Sequence, residues 1–93
     1  MASNITIDIP TALRPQAGNH DRVTQSGDTV GGVLTALTGD YPELGKRLYK
    51  AEGQLNRFIN VYVNDEDIRF LDNLDTPLKD GDAVSIVPAI AGG

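Results

Sequence analysis

Alternating apolar and polar positions mark the first strand of the chain. Residues 4–9 place three isoleucines on one face and polar side chains on the other, a period of two that predicts a half-buried strand. Residues 22–26 continue the pattern after residues 10–20, where two prolines, a glycine and an asparagine predict a loop. The two strands are expected to pair as an antiparallel hairpin.

The second half of the chain carries three more predicted strands. Residues 57–63 form the clearest central strand, with Ile59, Val61 and Val63 on one face. An acidic turn at 64–67 leads to a predicted edge strand over 68–71, and a last strand is predicted over 83–87.

Helical periodicity separates the two groups of strands. Val30, Val33, Leu34 and Leu37 recur at the spacing of one helical face, and the preceding Asp28-Thr29 pair supplies an N-cap. A second, shorter helix is predicted over 42–49. Strands and helices in this order predict an α+β roll, in which one main helix lies across a mixed sheet.

Composition and charge narrow the class of protein. Ninety-three residues that are 40% hydrophobic and 23% charged are enough for one globular domain. A formal net charge of −5 disfavours nucleic acid and anionic membranes as partners. Without cysteine, the chain has no disulfide and no thiolate nucleophile or ligand. No secretory signal or membrane-spanning run is visible, so we expect a cytoplasmic location.

Few side chains suggest catalysis. His20 is the single histidine, and it has no companion histidine or cysteine, so an exposed loop position is the better interpretation. The acidic residues between 65 and 82 lack the ligand spacing and the glycine of a calcium loop, and a solvated rim or docking face is favoured. We expect neither a catalytic residue nor a bound metal.

The end of the chain is the most informative segment. No charged side chain follows Asp82, and the chain closes with Pro88-Ala89-Ile90-Ala91-Gly92-Gly93. Proline cannot donate a ladder hydrogen bond, so the final strand is expected to stop at Pro88. We therefore predict a domain over 1–88 and a flexible Gly-Gly tail over 89–93, thin enough to enter a narrow channel of another protein.

These features resemble the MoaD/ThiS family of ubiquitin-like sulfur carriers, and most closely its cysteine-biosynthetic branch. The likeness covers essentially the whole chain. The segments that carry it are Ile9-Pro10-Thr11, Leu13-Arg14-Pro15, Ser26-Gly27-Asp28-Thr29, Arg57-Phe58, Tyr62-Val63-Asn64-Asp65-Glu66-Asp67, Asp80-Gly81-Asp82 and the closing Ala91-Gly92-Gly93. The resemblance implies a ubiquitin-like β-grasp fold.

The resemblance also implies a non-enzymatic function. An ATP-dependent adenylyltransferase would activate the Gly93 carboxylate, and a sulfur donor would convert it to a thiocarboxylate. Ala89, Ile90, Ala91 and Gly92 would enter the partner's active site. In the cysteine-biosynthetic branch that partner is a pyridoxal-phosphate (PLP) cysteine synthase, and a metalloprotease releases cysteine. ATP and PLP would belong to the partners, and no cofactor to this chain.

A docking face is predicted on the outward side of the strand over 57–63. If Ile59, Val61 and Val63 face the helix, Phe58 and Tyr62 face outward, where aromatic side chains favour protein contacts. Arg57 and Arg69 are candidate rim contacts.

Three other functions remain open at this stage. The first is the small subunit of molybdopterin synthase, which uses the same carboxyl-terminal glycine. The second is a protein modifier that forms an isopeptide bond through Gly93, and the third is an interaction module with an inert tail. Lysine conjugates in cells would favour the modifier, and unchanged function after deletion of Gly93 would favour the inert module.

Overall fold

The computed structural model describes residues 3–51, 54–56 and 58–88. Its seven strands are β1 (Ser3–Asp8), β2 (Arg22–Gly27), β3 (Tyr49–Ala51), β4 (Gln54–Leu55), β5 (Ile59–Val63), β6 (Glu66–Asp67) and β7 (Ala83–Pro88). The helices are α1 (Val30–Asp40) and α2 (Pro42–Leu48), with 3-10 helices at Thr11–Ala17, Ile68–Phe70 and Asn73–Asp75. Within the described part of the chain, every helix is too short or too polar to cross a membrane.

Five strands form one mixed sheet in the order β2-β1-β7-β5-β6. β1 and β7 are parallel, and the other neighbours are antiparallel. The predicted hairpin of the first two strands is confirmed, with Ile7 opposite Val23. β3 and β4 form a separate two-stranded ribbon, which the sequence did not predict. The predicted α+β roll, with a helix across a mixed sheet, is therefore confirmed.

Both α-helices follow the predicted pattern. The Thr29 hydroxyl accepts the N–H of Gly32 at 3.1 Å and caps α1. The predicted stripe of α1 is fully buried, and so are Leu44 and Leu48 of α2. These side chains meet Ile5 and Ile7 of β1 and the apolar face of β7 and β5 in one core. The helices thus cover one face of the sheet and leave its other face, here called the outer face, to solvent.

Two predictions for local structure are wrong. Residues 11–17 form a 3-10 helix instead of a loop, because Leu13 and Ala17, four positions apart, are both buried in the core. The predicted edge strand over 68–71 is a 3-10 turn. The Asp67 side chain accepts the N–H of Arg69 at 2.8 Å, which ends the pairing after β6 and turns Ile68 into the core.

The strand predicted over 57–63 is shorter than expected, because it begins at Ile59. Its predicted position inside the sheet is confirmed, since β5 pairs with β7 on one side and β6 on the other. The face of β5 was predicted correctly, since Val61 and Val63 are buried and Ile59 packs against the core.

Candidate functional site

β7 fixes the point from which the carboxyl-terminal segment departs. It pairs with β1 on one side, where Ile7 lies opposite Val84, and with β5 on the other, where Ile59 lies opposite Pro88. Val84 and Ile86 are buried in the core. A central strand held on both edges therefore positions Pro88. The predicted attachment residue Gly93 and the predicted tail residues Ala89, Ile90, Ala91 and Gly92 lie outside the described residues.

Five strands contribute one residue each to a row across the outer face. Their Cα registers pair Arg22 with Asp8, Asp8 with Ser85, Ser85 with Tyr62 and Tyr62 with Asp67. This outer row therefore consists of Arg22, Asp8, Ser85, Tyr62 and Asp67. Directly paired residues on neighbouring strands have side chains on the same face, so the row is a continuous polar band.

At each end of the outer row, an arginine forms an ion pair with a carboxylate of the row. Arg22 Nε donates to Asp8 Oδ1 over 2.8 Å, and the Ser85 hydroxyl donates to Asp8 Oδ2 over 3.3 Å. At the other end, Arg69 Nη2 donates to Asp67 Oδ2 over 2.7 Å. The hydrogen bonds from Arg69 lower the pKa of Asp67, and the carboxylate in turn raises the pKa of Arg69. The ionised form of Asp67 is thus favoured, and each arginine is compensated by a carboxylate.

The middle of the outer row opens into a shallow hollow. Its volume is about 410 Å³, and it is lined by Tyr62, Asp65, Ser85 and Val87. Val87 is the apolar member of this lining, and 42% of its surface is exposed. The hollow therefore combines a phenol, a hydroxyl and an apolar side chain one residue before Pro88.

Phe58 lies next to the departure point of the carboxyl-terminal segment. It immediately precedes Ile59, whose Cα partner is Pro88, and 45% of its surface is exposed. Asn56 Oδ1 accepts the Phe58 N–H at 3.0 Å and fixes this part of the backbone. Phe58 and Val87 are therefore two exposed apolar groups at the root of the segment.

A larger hollow lies on the helical side. It measures about 680 Å³ and runs between α1 and α2, past Thr35, Thr38 and Tyr49. Burial raises the pKa of Tyr49. Because the helices lie on the opposite side of the sheet from the outer row, this hollow is remote from both the row and Pro88.

The structure brings together only part of the predicted docking set. Tyr62 and Arg69 are linked through Asp67, and Phe58 lies apart from them, beside Pro88. Arg57 lies outside the described residues. Sequence reasoning missed Arg22, Asp8 and Ser85 in the row, as well as Val87. Ser85 and Val87 alternate with the predicted inward residues Val84 and Ile86, and that alternation is the signal that would have found them.

The chain is similar to known proteins over almost its whole length. The profile of the ThiS family matches residues 7–93. The sulfur carrier protein CysO of Mycobacterium tuberculosis is 49% identical over 92 residues, which cover 97% of this chain and 99% of that protein.

Two solved structures resemble the fold. The CysO chain in the Amycolatopsis orientalis BexX/CysO complex matches with a TM-score of 0.87 and 45% identity, over 96% of this chain and 99% of the other. The small archaeal modifier protein 1 (SAMP1) of Methanosarcina acetivorans matches with a TM-score of 0.90 and 31% identity, over 100% of this chain and 99% of the other.

Proposed function

Because the chain belongs to the ThiS family, we propose that it is a sulfur carrier protein that holds sulfur as a thiocarboxylate on Gly93. The observation that carries this proposal is the 49% identity to a sulfur carrier protein, CysO, over nearly the full length of both chains. The same likeness favours cysteine biosynthesis as the pathway that consumes the sulfur.

The chemistry needs activation of a poor electrophile. A carboxylate oxygen of Gly93 attacks the α-phosphorus of ATP on an adenylyltransferase, and pyrophosphate leaves. Sulfide then attacks the acyl carbon as the sulfur nucleophile, the bond to AMP breaks, and the thiocarboxylate remains. Because Gly92 and Gly93 carry no side chains, the acyl carbon is open to attack from either face.

The partners supply the catalysts in this scheme. ATP belongs to the adenylyltransferase, and PLP to a cysteine synthase that accepts the sulfur. A metalloprotease would release the cysteine from the carrier. The contribution of this chain is positional: β7 holds Pro88, and Ala89, Ile90, Ala91 and Gly92 are small enough to enter a partner's channel.

The outer face is the proposed docking surface. Arg22 and Arg69 neutralise the carboxylates of the outer row, although the whole chain has a net charge of −5. A partner that docks there would therefore meet a surface in which the charges are balanced locally. The exposed side chains of Phe58 and Val87, with the half-buried Tyr62, add the apolar and aromatic surface that is typical of interface centres. Docking there would align Pro88 with the mouth of the partner's active site.

A second candidate function is protein modification through Gly93. The similarity to SAMP1, which is described as a modifier protein, supports it. A modifier would use the same adenylate, with the amine of a target lysine in place of the sulfur nucleophile. The two functions therefore share the first step and differ in the nucleophile.

The absence of cysteine gives a clean test of sulfur loading. The chain is incubated with its activating enzyme, ATP and sulfide, treated with a thiol-selective alkylating reagent, and examined by intact and peptide mass spectrometry. We expect one label, on the peptide that ends in Gly93, and none without ATP. A variant that lacks Gly93 but keeps the rest of the chain is the matched control and should stay unlabelled.

Two outcomes would count against the sulfur-carrier proposal. An unlabelled chain under conditions that form the adenylate would overturn it. Lysine-linked conjugates of Gly93 in cells, formed without any thiocarboxylate, would support the modifier instead.

A further inference from the structure

The shallow hollow on the outer face, here called the outer hollow, has an acidic end and an apolar end. Tyr62 and Ser85 lie opposite each other on β5 and β7, and both are half-buried. Val87 lies two residues further along β7 on the same face, toward Pro88, whereas Asp65 lies in the turn after β5. The outer hollow therefore runs from a carboxylate to an apolar side chain, with a phenol and a hydroxyl between them.

The carboxylate of Asp65 has no cation beside it. Within the part of the chain that the structure describes, its side chain takes part in no hydrogen bond or ion pair. The two carboxylates of the outer row are different, because Asp8 is paired with Arg22 at 2.8 Å and Asp67 with Arg69 at 2.7 Å. The charge that the outer hollow offers to a partner is therefore negative, and the complementary group is a cation.

Arg69 is the positive charge that would oppose such a cation, since it interacts electrostatically with Tyr62. Its guanidinium is held on Asp67, however. Nε donates to both carboxylate oxygens at 3.2 Å, and Nη2 donates to Oδ2 at 2.7 Å. A compact ion pair repels an incoming cation far less than a lone arginine does. The uncompensated charge of Asp65 therefore dominates the outer hollow.

We propose that the outer hollow binds one arginine side chain of the partner protein that receives the carboxyl-terminal segment. The guanidinium lies against Tyr62 and donates to the Asp65 carboxylate, and the apolar stem packs on Val87. Arginine fits better than lysine, because its planar guanidinium stacks on an aromatic ring and donates two parallel hydrogen bonds to a carboxylate. This inference deepens the proposed docking surface and rests on the proposed function for the identity of the partner.

The two ends of the outer hollow set the direction of the arginine. Its charged end lies at Asp65 and its stem at Val87, since long basic side chains lay their methylene groups on apolar surface. The partner's backbone therefore lies on the side of Pro88, which directly follows Val87 at the end of β7. The arginine thus anchors the partner next to the point where a channel for the carboxyl-terminal segment has to begin.

A capped peptide, N-acetyl-Gly-Arg-Gly-amide, tests the outer hollow without a partner protein. An NMR titration of the full chain at low salt should show saturable shifts of the amides that line the outer hollow, with a dissociation constant on the order of 1–10 mM. The same peptide with citrulline keeps the shape of arginine but lacks its charge, and it should bind at least roughly fivefold more weakly. The lysine peptide should also bind more weakly.

Two matched variants locate the charge that the peptide recognises. Asp65→Asn should raise the dissociation constant at least roughly fivefold, and asparagine tolerates the positive φ of this position. Glu66→Gln is the control, because it removes the same charge one residue away. Glu66 is paired with Val63, whose side chain is buried, so it projects from the other face of the sheet. This control should stay within about twofold of the unaltered chain.

The activating enzyme extends the test to a protein partner. Asp65→Asn should raise KM for the carrier roughly 5- to 30-fold with kcat unchanged, and Glu66→Gln should leave KM within about twofold. An unchanged KM for Asp65→Asn would overturn the proposal.

The titration can overturn the proposal by itself. The absence of saturable shifts, equal binding of the citrulline peptide, or equal effects of the two variants would do so, and equal binding of the lysine peptide would overturn the choice of arginine. If the unaltered chain formed no adenylate, the proposed function would fail, and the titration would still decide whether the outer hollow binds arginine.

Discussion

The side-chain amide of Asn64 donates to Asp82 Oδ1 over 3.1 Å, and its carbonyl oxygen accepts the N–H of Ala83 at 3.1 Å. Asn64 and Asp65 have φ values of +50° and +73°, which makes the β5–β6 connection a two-residue turn of the primed type. The Lys79 N–H and Asn64 together lower the pKa of Asp82. One side chain therefore ties this turn to the start of β7.

Glycine substitutions separate the two tasks of this turn. Gly accepts positive φ at either position, so Asp65→Gly should leave the free energy of unfolding nearly unchanged. Asn64→Gly keeps the backbone conformation but removes both side-chain hydrogen bonds, and it should lower that free energy by about 1–2 kcal/mol. Urea denaturation of both variants checks this. Equal effects would show that the turn conformation alone matters.

The sequence correctly predicted those helices and strands in which a single local pattern of apolar residues dominates. The stripe of α1 and the alternation in β5 are periodic and one-sided, and both are buried as expected. The predicted edge strand over 68–71 failed because the Asp67 side chain, not the apolar pattern, sets the backbone there. Such side-chain capping competes with strand pairing and leaves no periodic signal.

The docking face could not be predicted in full either, because it depends on contacts between strands that are far apart in the sequence. Alternation along β5 predicted that Tyr62 faces outward. The outer row, however, joins Asp8, Ser85 and Tyr62 through registers between strands far apart in the sequence. A shift of one residue in either register would move the paired side chains to opposite faces of the sheet, so the row would no longer exist. No local sequence pattern determines such registers.

Asp67 should stabilise the fold in a pH-dependent way. Hydrogen bonds from Arg69 hold its pKa below the ordinary value of 3.8, so ionised Asp67 stabilises the native state. This contribution is fully present above pH 3.8 and is lost as the pH falls through the lowered pKa. Asp67→Asn should therefore lower the free energy of unfolding at pH 7 and much less in strong acid.

Asp65→Asn is the matched control for this effect. Asp65 is exposed in the turn, and asparagine tolerates its positive φ. Urea denaturation at neutral and acidic pH should show a difference between the two variants that closes as the pH falls. A difference independent of pH would mean that the charge of Asp67 is not the cause.

At Gly27, even the methyl group of alanine is expected to destabilise the fold. A Cβ at this position would lie 2.6 Å from Val33 Cγ2 and 3.0 Å from the Val33 backbone nitrogen. Gly27→Ala should therefore push α1 away from β2 and cost about 1–3 kcal/mol. Thermal unfolding checks this prediction.

Gly39→Ala provides the opposite expectation with the same chemical change. A Cβ at Gly39 meets nothing within 4 Å, and the residue lies inside α1. The substitution should stabilise the protein by up to about 1 kcal/mol. If Gly27→Ala were also stabilising, the close approach of β2 to α1 would not limit packing there.

Phe58 should contribute to recognition by the activating enzyme because of its position, and not only because it is an exposed apolar side chain. It lies beside Pro88 at the root of the carboxyl-terminal segment, so its loss should weaken docking without changing the chemistry at Gly93. We expect Phe58→Ala to raise KM for the carrier roughly 5- to 30-fold, the effect of losing about 1–2 kcal/mol of contact energy, with kcat unchanged. Phe70→Ala removes the same side chain from the 3-10 helix after β6, where 80% of it is exposed. This control should leave KM within about twofold of the unaltered chain. A fall in kcat at constant KM, or equal effects of both variants, would contradict a docking role for Phe58.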